Sequence, residues 1–229
     1  ALTIAPNDPT GLQWHGENLA WLGRLPEALS EARRAAALDP LSAVITGSVS
    51  QTLYVSRDFR GALNAAHESI ALDSSFTPSF STVALAEMFS GHPDSAVKYA
   101  EAARKRDPSL PGVDGVLILA YAAAGRWTDA QRVHDEIRMA HDRIQLRNRA
   151  AITGDDLDAA LAFGIPANQR SAFIQRIDWK SVNANGVYSM CDPLFDSFRN
   201  DPAFLAVQHR MSAVTCLYST PWPIKPRTR

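Results

Sequence analysis

The chain has 229 residues, of which 46% are hydrophobic and 21% are charged, and its formal net charge is −1. This composition suffices for a substantial elongated apolar core, and the balanced charge gives no electrostatic footprint for nucleic acid or an anionic membrane. No apolar run approaches the roughly 20 residues that a membrane-spanning helix needs. We therefore expect a helical domain that contacts neither nucleic acid nor a membrane.

The first residues match a segment that lies 34 residues later in the chain: Ala1 corresponds to Ala35 and Pro6 to Pro40. This spacing is the period of a repeat that continues along the chain, as described below. Residues 1–8 are therefore predicted to be the end of a truncated preceding repeat, because a helix without a cap or a partner helix is poorly stabilised. This pattern predicts that the sequence is part of a longer protein.

One alanine then recurs at the same interval. It stands at four equally spaced positions: Ala28, Ala62, Ala96 and Ala130. A constant period of about 34 residues is typical of stacked helical repeats. Small residues follow one turn later at Ala32, Ala66 and Ala100, so these helices are predicted to approach their neighbours closely.

Each unit also has an earlier helix with larger apolar residues, and a turn joins its two helices. Glycine fills the turn position at Gly23, Gly91 and Gly125, where it suits a left-handed backbone conformation. Arg57 occupies the same position in one unit. That turn is therefore expected to tolerate strain or to take another shape.

This recurrence of large apolar, small and aromatic residues, followed by alanine and an Asp-Pro stop, resembles the tetratricopeptide repeat (TPR). It covers four units, at residues 9–42, 43–76, 77–110 and 111–141. The resemblance implies an all-α fold of the TPR-type α-solenoid class. Such a fold is a right-handed superhelix of antiparallel helix pairs, here with C-terminal capping helices.

Beyond residue 141 the period breaks. We predict a degenerate helical pair at residues 142–165, C-terminal capping helices at 166–214 and a proline-rich tail at 215–229. Asp192-Pro193 and Asp201-Pro202 each place an N-cap residue before a proline, which predicts two helix starts. The capping helices are expected to cover the exposed end of the stack. Trp222 is expected to pack back on the protein, and the tail around it is a candidate occupant of the binding groove that is described below.

A second resemblance concerns this C-terminal passage. It rests on Asp192, Pro193, Phe195, Asp196, Arg199, Asp201, Pro202 and Phe204. The passage is similar to the C-terminal regions of certain bacterial multidomain proteins, in which repeats follow a winged-helix, adenylate cyclase or Ser/Thr kinase domain. The resemblance implies a regulatory region of a larger bacterial signalling or transcription-regulatory protein. It also implies an intramolecular contact with an upstream output domain.

The chain has two cysteines, Cys191 and Cys216, without Cys-x-x-Cys spacing. This usage fits free thiols in a reducing compartment, so we expect a cytoplasmic location. A disulfide between the two cysteines is the alternative.

The inner face of the superhelix, formed mainly by first helices, is the predicted binding surface for a protein or peptide. Its outward-facing positions give a candidate partner-binding groove: Gln13, Glu17, Trp21, Gln51, Tyr54, Val55, Leu85, Met88, Phe89 and Leu119. Smaller residues occupy further positions of this face at Gly47, Ser81, Gly115 and Ala122.

The centre of this groove is expected to be an exposed apolar strip, formed by Tyr54, Leu85, Met88, Phe89 and Leu119. A strip of this kind would receive a helix or an extended segment of a partner. The alternative for Met88 and Phe89 is that they pack beneath the next helix.

Residues that would carry catalysis are scarce. The histidines show no metal-ligand spacing with carboxylates, and the sequence has no phosphate loop and no nucleophile elbow. We therefore expect no enzyme activity, no metal and no cofactor. Two functions remain: a non-catalytic protein–protein interaction and regulatory domain, or a small-molecule-sensing effector domain that controls an upstream DNA-binding or cyclase domain.

Overall fold

A computed structural model describes residues 5–110, 112–144, 163–165, 167–177, 191–211 and 224. Eight of its α-helices follow one another in four pairs: α1 (Pro9–Trp21) and α2 (Leu25–Leu38), α3 (Ala43–Val55) and α4 (Phe59–Leu72), α5 (Thr77–Phe89) and α6 (Pro93–Arg106), α7 (Val113–Ala123) and α8 (Trp127–Ile144). Three shorter helices follow: α9 (Ala167–Arg176), a 3-10 helix (Pro193–Phe198) and α10 (Pro202–Arg210).

The helices stack in chain order. Each helix from α1 to α8 packs against the next one, which joins the pairs into a continuous array. The first helices α1, α3, α5 and α7 also contact one another in turn and so form one layer of the stack. The described residues contain no β-strand, and the predicted all-α solenoid of helix pairs is confirmed.

The alanine stripe lies at the centre of this stack. Ala28, Ala62, Ala96 and Ala130 are each 0% exposed. A methyl side chain leaves room for a neighbouring helix to come close, and each unit can then bury its apolar face on the next one. The period of the sequence therefore corresponds to a repeated helix–helix contact.

The turns between paired helices use a left-handed residue in all four units. Gly23, Gly91 and Gly125 have φ angles of 80°, 84° and 72°. Arg57 has a φ of 63° and is the non-glycine residue with positive φ in the described part of the chain. The second unit thus keeps the turn shape of the others, at a cost of about 1–2 kcal/mol for a residue with a Cβ atom.

Both predicted Asp-Pro helix starts are present. Asp192 Oδ1 accepts a hydrogen bond from the backbone N–H of Leu194 at 2.9 Å, and Asp201 Oδ1 accepts one from Ala203 at 2.8 Å. Each proline lies in the first turn of its helix, where its missing N–H costs nothing.

Some predictions fall on residues outside the described part of the chain. These are the preceding repeat at residues 1–4, most of the degenerate pair at 142–165, Cys216, Trp222 and most of the tail. Within the tail, Ile224 is described and is buried in the main apolar core. No helix in the described ranges is both long and apolar enough to cross a bilayer.

We predict that Ala96→Leu lowers the free energy of unfolding by about 1–3 kcal/mol, because three added heavy atoms overpack a close helix contact. Urea unfolding followed by circular dichroism measures this loss. Ala37→Leu, at an exposed position of α2, is the matched control and should leave the midpoint nearly unchanged. Equal midpoints for the two variants would contradict the assignment of the close-packed stripe.

Candidate binding groove

A cavity of about 180 Å³ lies between the first helices of the four units. Its polar lining consists of Gln13, Glu17, Ser48, Gln51, Ser81 and Thr82. Its apolar lining includes Val44, Tyr54, Phe76, Leu85, Leu110 and Val116. We call this space the groove cavity.

Half of the predicted groove residues line the groove cavity: Gln13, Glu17, Gln51, Tyr54 and Leu85. The first helices place them there because residues three or four apart share one helix face, as Gln13 and Glu17 do on α1. Gln13 Nε2 donates a hydrogen bond to Glu17 Oε1 at 2.9 Å, which positions the carboxylate.

The other predicted residues lie against or within the main apolar core. Val55, Met88 and Leu119 are buried in it, while Trp21 and Phe89 are partly buried and pack against it. For Met88 and Phe89, this is the packing alternative rather than exposure in an open groove.

The expectation of an exposed apolar strip is wrong. Tyr54, Leu85, Met88 and Leu119 are 1%, 3%, 2% and 0% exposed. They belong to one apolar core that runs through the stack and includes side chains of the C-terminal helices. The centre of the expected groove is therefore filled by the protein itself.

Three aromatic rings form the closed end of the groove. Phe59 and Phe89 are stacked with their ring centroids 5.4 Å apart, and the Tyr54 ring lies 6.0 Å from each of them. Such pairs contribute about 0.5–1.5 kcal/mol beyond their burial. These aromatic residues join the second unit to the third instead of being available to a partner.

Residues 191–199, which we call the docked segment, return to the second helix pair. The Tyr54 hydroxyl donates a hydrogen bond to Asp192 Oδ1 at 3.0 Å. The Arg57 guanidinium donates to Asp196 Oδ1 at 2.6 Å and to the carbonyl oxygen of Cys191. The docked segment therefore binds to the middle of the stack, while the capping role expected of the C-terminal helices stays a prediction.

Asp196 lies between two guanidinium groups. Arg57 contacts its Oδ1 atom from the second unit, and Arg199 Nε lies 3.0 Å from the same atom. The side chains of Arg57, Asp196 and Arg199 are 10%, 5% and 9% exposed, so the ion network is buried. An unpaired charge at such a depth costs several kcal/mol, and each member therefore depends on the others.

This network accounts for the arginine at a glycine position. From the left-handed turn, the long side chain of Arg57 reaches the docked segment and bonds to Asp196. A glycine at position 57 would have no guanidinium to make this contact. The strain of the turn is offset by a charge-assisted hydrogen bond to a buried carboxylate, and such bonds are about twice as strong as neutral ones.

The docked segment is a fixed part of the fold. Leu194, Phe195, Phe198 and the following Phe204 are at most 1% exposed. Burial of four such side chains contributes roughly 6–12 kcal/mol, which matches the whole binding free energy of a micromolar ligand, about 8 kcal/mol. A weak partner could not displace the segment, so among the described residues the groove cavity is the part of the groove that the segment leaves open.

Cys191 begins the docked segment and is disulfide-bonded. The expectation of free thiols is therefore wrong for this residue, which is 1% exposed. Cys216 is the other cysteine of the chain and lies outside the described residues. Because disulfides persist mainly in oxidising compartments, the bond weighs against the cytoplasmic location that the sequence suggested.

Asp192 is the residue with the most perturbed ionisation. Burial raises its pKa to about 7, although the hydrogen bonds from Leu194 and Tyr54 and the charges of Arg57 and Arg199 act to lower it. Its Oδ2 atom is buried and has no hydrogen-bond partner within the described ranges. Asp192 does not line the groove cavity, so we assign it a structural role, although perturbed acids often mark active sites.

Other chemistry is scarce in the described part of the chain. No group of histidine, cysteine, aspartate and glutamate side chains there could hold a metal ion. The groove cavity offers hydroxyl and amide groups and one carboxylate, which suit hydrogen bonding rather than a covalent reaction.

Sequence reasoning missed four residues of this region. The sequence marks Asp192 as a helix N-cap and as part of a resemblance, and Asp196 only as part of that resemblance. It marks Arg57 only as an exception among the turn glycines, although that exception is the signal of a special contact. Ser48 carried no signal at all. In the described part of the chain, its hydroxyl and that of Ser81 are buried without a hydrogen-bond partner, and a buried group left unsatisfied costs about 1–3 kcal/mol.

Comparison with known proteins supports the fold. No protein-family model matches the chain, and no curated protein matches it in sequence. Two crystal structures of MamA each have a TM-score of 0.53 at 19% identity; they cover 62% and 64% of this chain and 84% and 82% of that one. The structure of Pseudomonas aeruginosa pilF has a TM-score of 0.52 at 15% identity, covering 91% of this chain and 85% of that one.

Both similar proteins are TPR-repeat proteins. At these identities the likeness concerns the fold alone. The predicted TPR-type α-solenoid is therefore confirmed as the fold class of this chain.

We predict that Arg57→Gly destabilises the protein although it restores the turn glycine of the other units. Loss of the buried ion pair should cost about 3 kcal/mol, and relief of the left-handed backbone should return about 1 kcal/mol. Urea unfolding should therefore show a net loss of about 2 kcal/mol. In a double-mutant cycle, Asp196→Asn should cost much less in the Arg57→Gly background than in the wild type; additive losses would show that the two side chains are not coupled.

A further prediction concerns the pH dependence of stability. The pKa of Asp192 is raised in the folded protein, so folding takes up a proton between the unfolded pKa near 4 and the folded value of about 7. Stability contributed by this group is present at low pH and is lost as the pH rises toward 7. Urea midpoints of the wild type should fall between pH 5 and pH 7.5 relative to those of Asp192→Asn. Parallel profiles for the two proteins would contradict the assignment.

Proposed function

We propose that this chain is a non-catalytic TPR module that binds a segment of a partner protein in the groove cavity. The observation that carries this proposal is the cavity itself, which opens between four first helices and is lined by Gln13, Glu17, Gln51 and Leu85. Stacked helical repeats present this layer to their partners. The aromatic end of the same layer already holds a chain segment, the docked segment, through Tyr54 and Arg57.

The second candidate function is a small-molecule-sensing effector domain. Buried hydroxyl groups at Ser48 and Ser81 favour a ligand that hydrogen-bonds in the cavity. The size of the cavity favours the first candidate, however, because pockets for metabolite-sized ligands enclose about 300–1,000 Å³. A volume of about 180 Å³ suits one side chain of a partner whose remaining contacts lie outside it.

We also propose a regulatory role within a larger bacterial signalling or transcription-regulatory protein, in which this module contacts an upstream output domain. Its support is the resemblance of the C-terminal passage. Three residues of that passage, Asp192, Asp196 and Arg199, also serve the internal network. The disulfide of the module favours an oxidising compartment over the cytoplasm, which suits contact with a signalling output domain better than contact with a DNA-binding one.

The proposed function predicts a single-site effect. Peptides selected from a displayed random library against the wild-type chain should bind Gln51→Phe at least about tenfold more weakly, because the added ring occupies a cavity of one side chain. Fluorescence anisotropy with the selected peptides measures this loss.

The matched control is Asn64→Phe, which places the same ring on the exposed face of α4 and should leave binding unchanged. Thermal melts establish that both variants are folded. Failure to select any peptide, or normal binding by folded Gln51→Phe, would refute the proposal. A metabolite that raises the melting temperature of the wild type but not of Gln51→Phe would instead support the sensing function.

A further inference from the structure

The polar groups of the groove cavity indicate the chemistry of what enters it. Most hydroxyl side chains on α3 and α5, and on the residues directly after these helices, donate a hydrogen bond to a backbone carbonyl oxygen of the preceding turn. There are six of them: Thr46, Ser50, Thr52, Ser56, Thr82 and Ser90. Ser48 and Ser81, on the same two helices, do not make this bond. Both line the cavity, and their buried hydroxyl groups have no hydrogen-bond partner among the residues that the structure describes.

These two side chains are 5% and 6% exposed, so bulk water does not freely serve them. A hydroxyl that forgoes the carbonyl of its own helix can donate to or accept from a group inside the cavity. Two such groups on neighbouring helices therefore point to an occupant that forms hydrogen bonds with both walls.

The charge of the side chains that line the groove cavity indicates whether its occupant is cationic or anionic. Glu17 is the charged side chain of the described lining, which contains no lysine, arginine or histidine. Gln13 holds this carboxylate toward the cavity through a 2.9 Å hydrogen bond. An anionic group would meet the Glu17 charge without a compensating cation, whereas a cationic group would gain a charge-assisted hydrogen bond.

Resting on the proposed function, we propose that the groove cavity receives a positively charged side chain, best an arginine, from an extended segment of the partner. The stem of an arginine is apolar and suits Val44, Leu85 and Val116. Its guanidinium has five donors and no acceptor, which matches the Glu17 carboxylate and the Ser48 and Ser81 oxygens. The cavity volume of about 180 Å³ accommodates one such side chain.

Two probes of one shape test this assignment. N-acetyl-arginine-N-methylamide and its neutral citrulline analogue, at millimolar concentrations, are titrated into the wild-type chain while its amide NMR spectrum is recorded. The arginine probe should shift the amide signals around Ser48, Gln51 and Ser81. The citrulline probe should bind about tenfold more weakly, because it has the same outline without the charge.

Three variants locate the effect. Glu17→Gln, at an exposed position, should reduce binding of the arginine probe to the level of the citrulline probe. Ser48→Ala combined with Ser81→Ala should weaken both probes. Glu68→Gln removes an exposed carboxylate on α4, outside the cavity, and should change neither.

Equal binding of the two probes, or an unchanged arginine affinity in folded Glu17→Gln, would overturn the inference. So would the absence of any shift at the cavity. These outcomes are distinguishable from failure of the proposed function: library peptides that bind the wild type but not Gln51→Phe would uphold the groove cavity as the site, with an occupant of another chemistry.

Discussion

The close approach of helices at the alanine stripe is the contact on which the rest of the structure depends. A helix pair cannot bury its apolar face alone, and each unit is stabilised only when the next one covers it. Ala28, Ala62, Ala96 and Ala130 have no exposed surface, so there is no room at these contacts for a longer side chain. The stack in turn sets the first helices side by side, and the groove cavity is the space left between them.

A second constraint comes from the docked segment, which ties the C-terminal region to the second unit. Its buried ion network requires an arginine at one turn, and the left-handed backbone of that turn would otherwise select glycine. Local and tertiary requirements thus conflict at Arg57. The backbone conformation of the turn favours glycine, whereas the distant carboxylate of Asp196 requires arginine. The tertiary contact prevails because an unpaired buried charge costs more than a strained backbone.

The repeat region was predictable from the sequence because its signals are local and periodic. Alanine at a fixed interval, turn glycines and Asp-Pro helix starts each follow from short-range physical preferences, and they agree with one another. The groove was predictable only in part. Helix-face counting placed Gln13, Glu17 and Gln51 in the cavity, but it could not reveal that the Tyr54 hydroxyl binds Asp192, far later in the chain, or that Met88 is buried. A contact over such a distance leaves no period in the sequence. The disulfide of Cys191 was the alternative that the sequence left open, because two cysteines far apart in the chain give no local sign of whether they meet in the fold.

The layer of first helices has a positive charge at its aromatic end, from Arg57, and a negative charge at the groove cavity, from Glu17. The aromatic end is filled by the docked segment, whereas the groove cavity is not. At the aromatic end, Arg57 forms an ion pair with Asp196, and the buried apolar side chains around this pair hold the docked segment in place. At the other end, Glu17 stands beside buried hydroxyl groups whose hydrogen-bonding capacity is unused within the described residues. An unpaired polar group costs stability wherever it serves no purpose, so a stable core would be expected to replace Ser48 and Ser81 by apolar residues or to satisfy them within their helices. The occupant that we propose would account for their presence, and the same layer of helices would then hold its own chain at one end and a partner at the other.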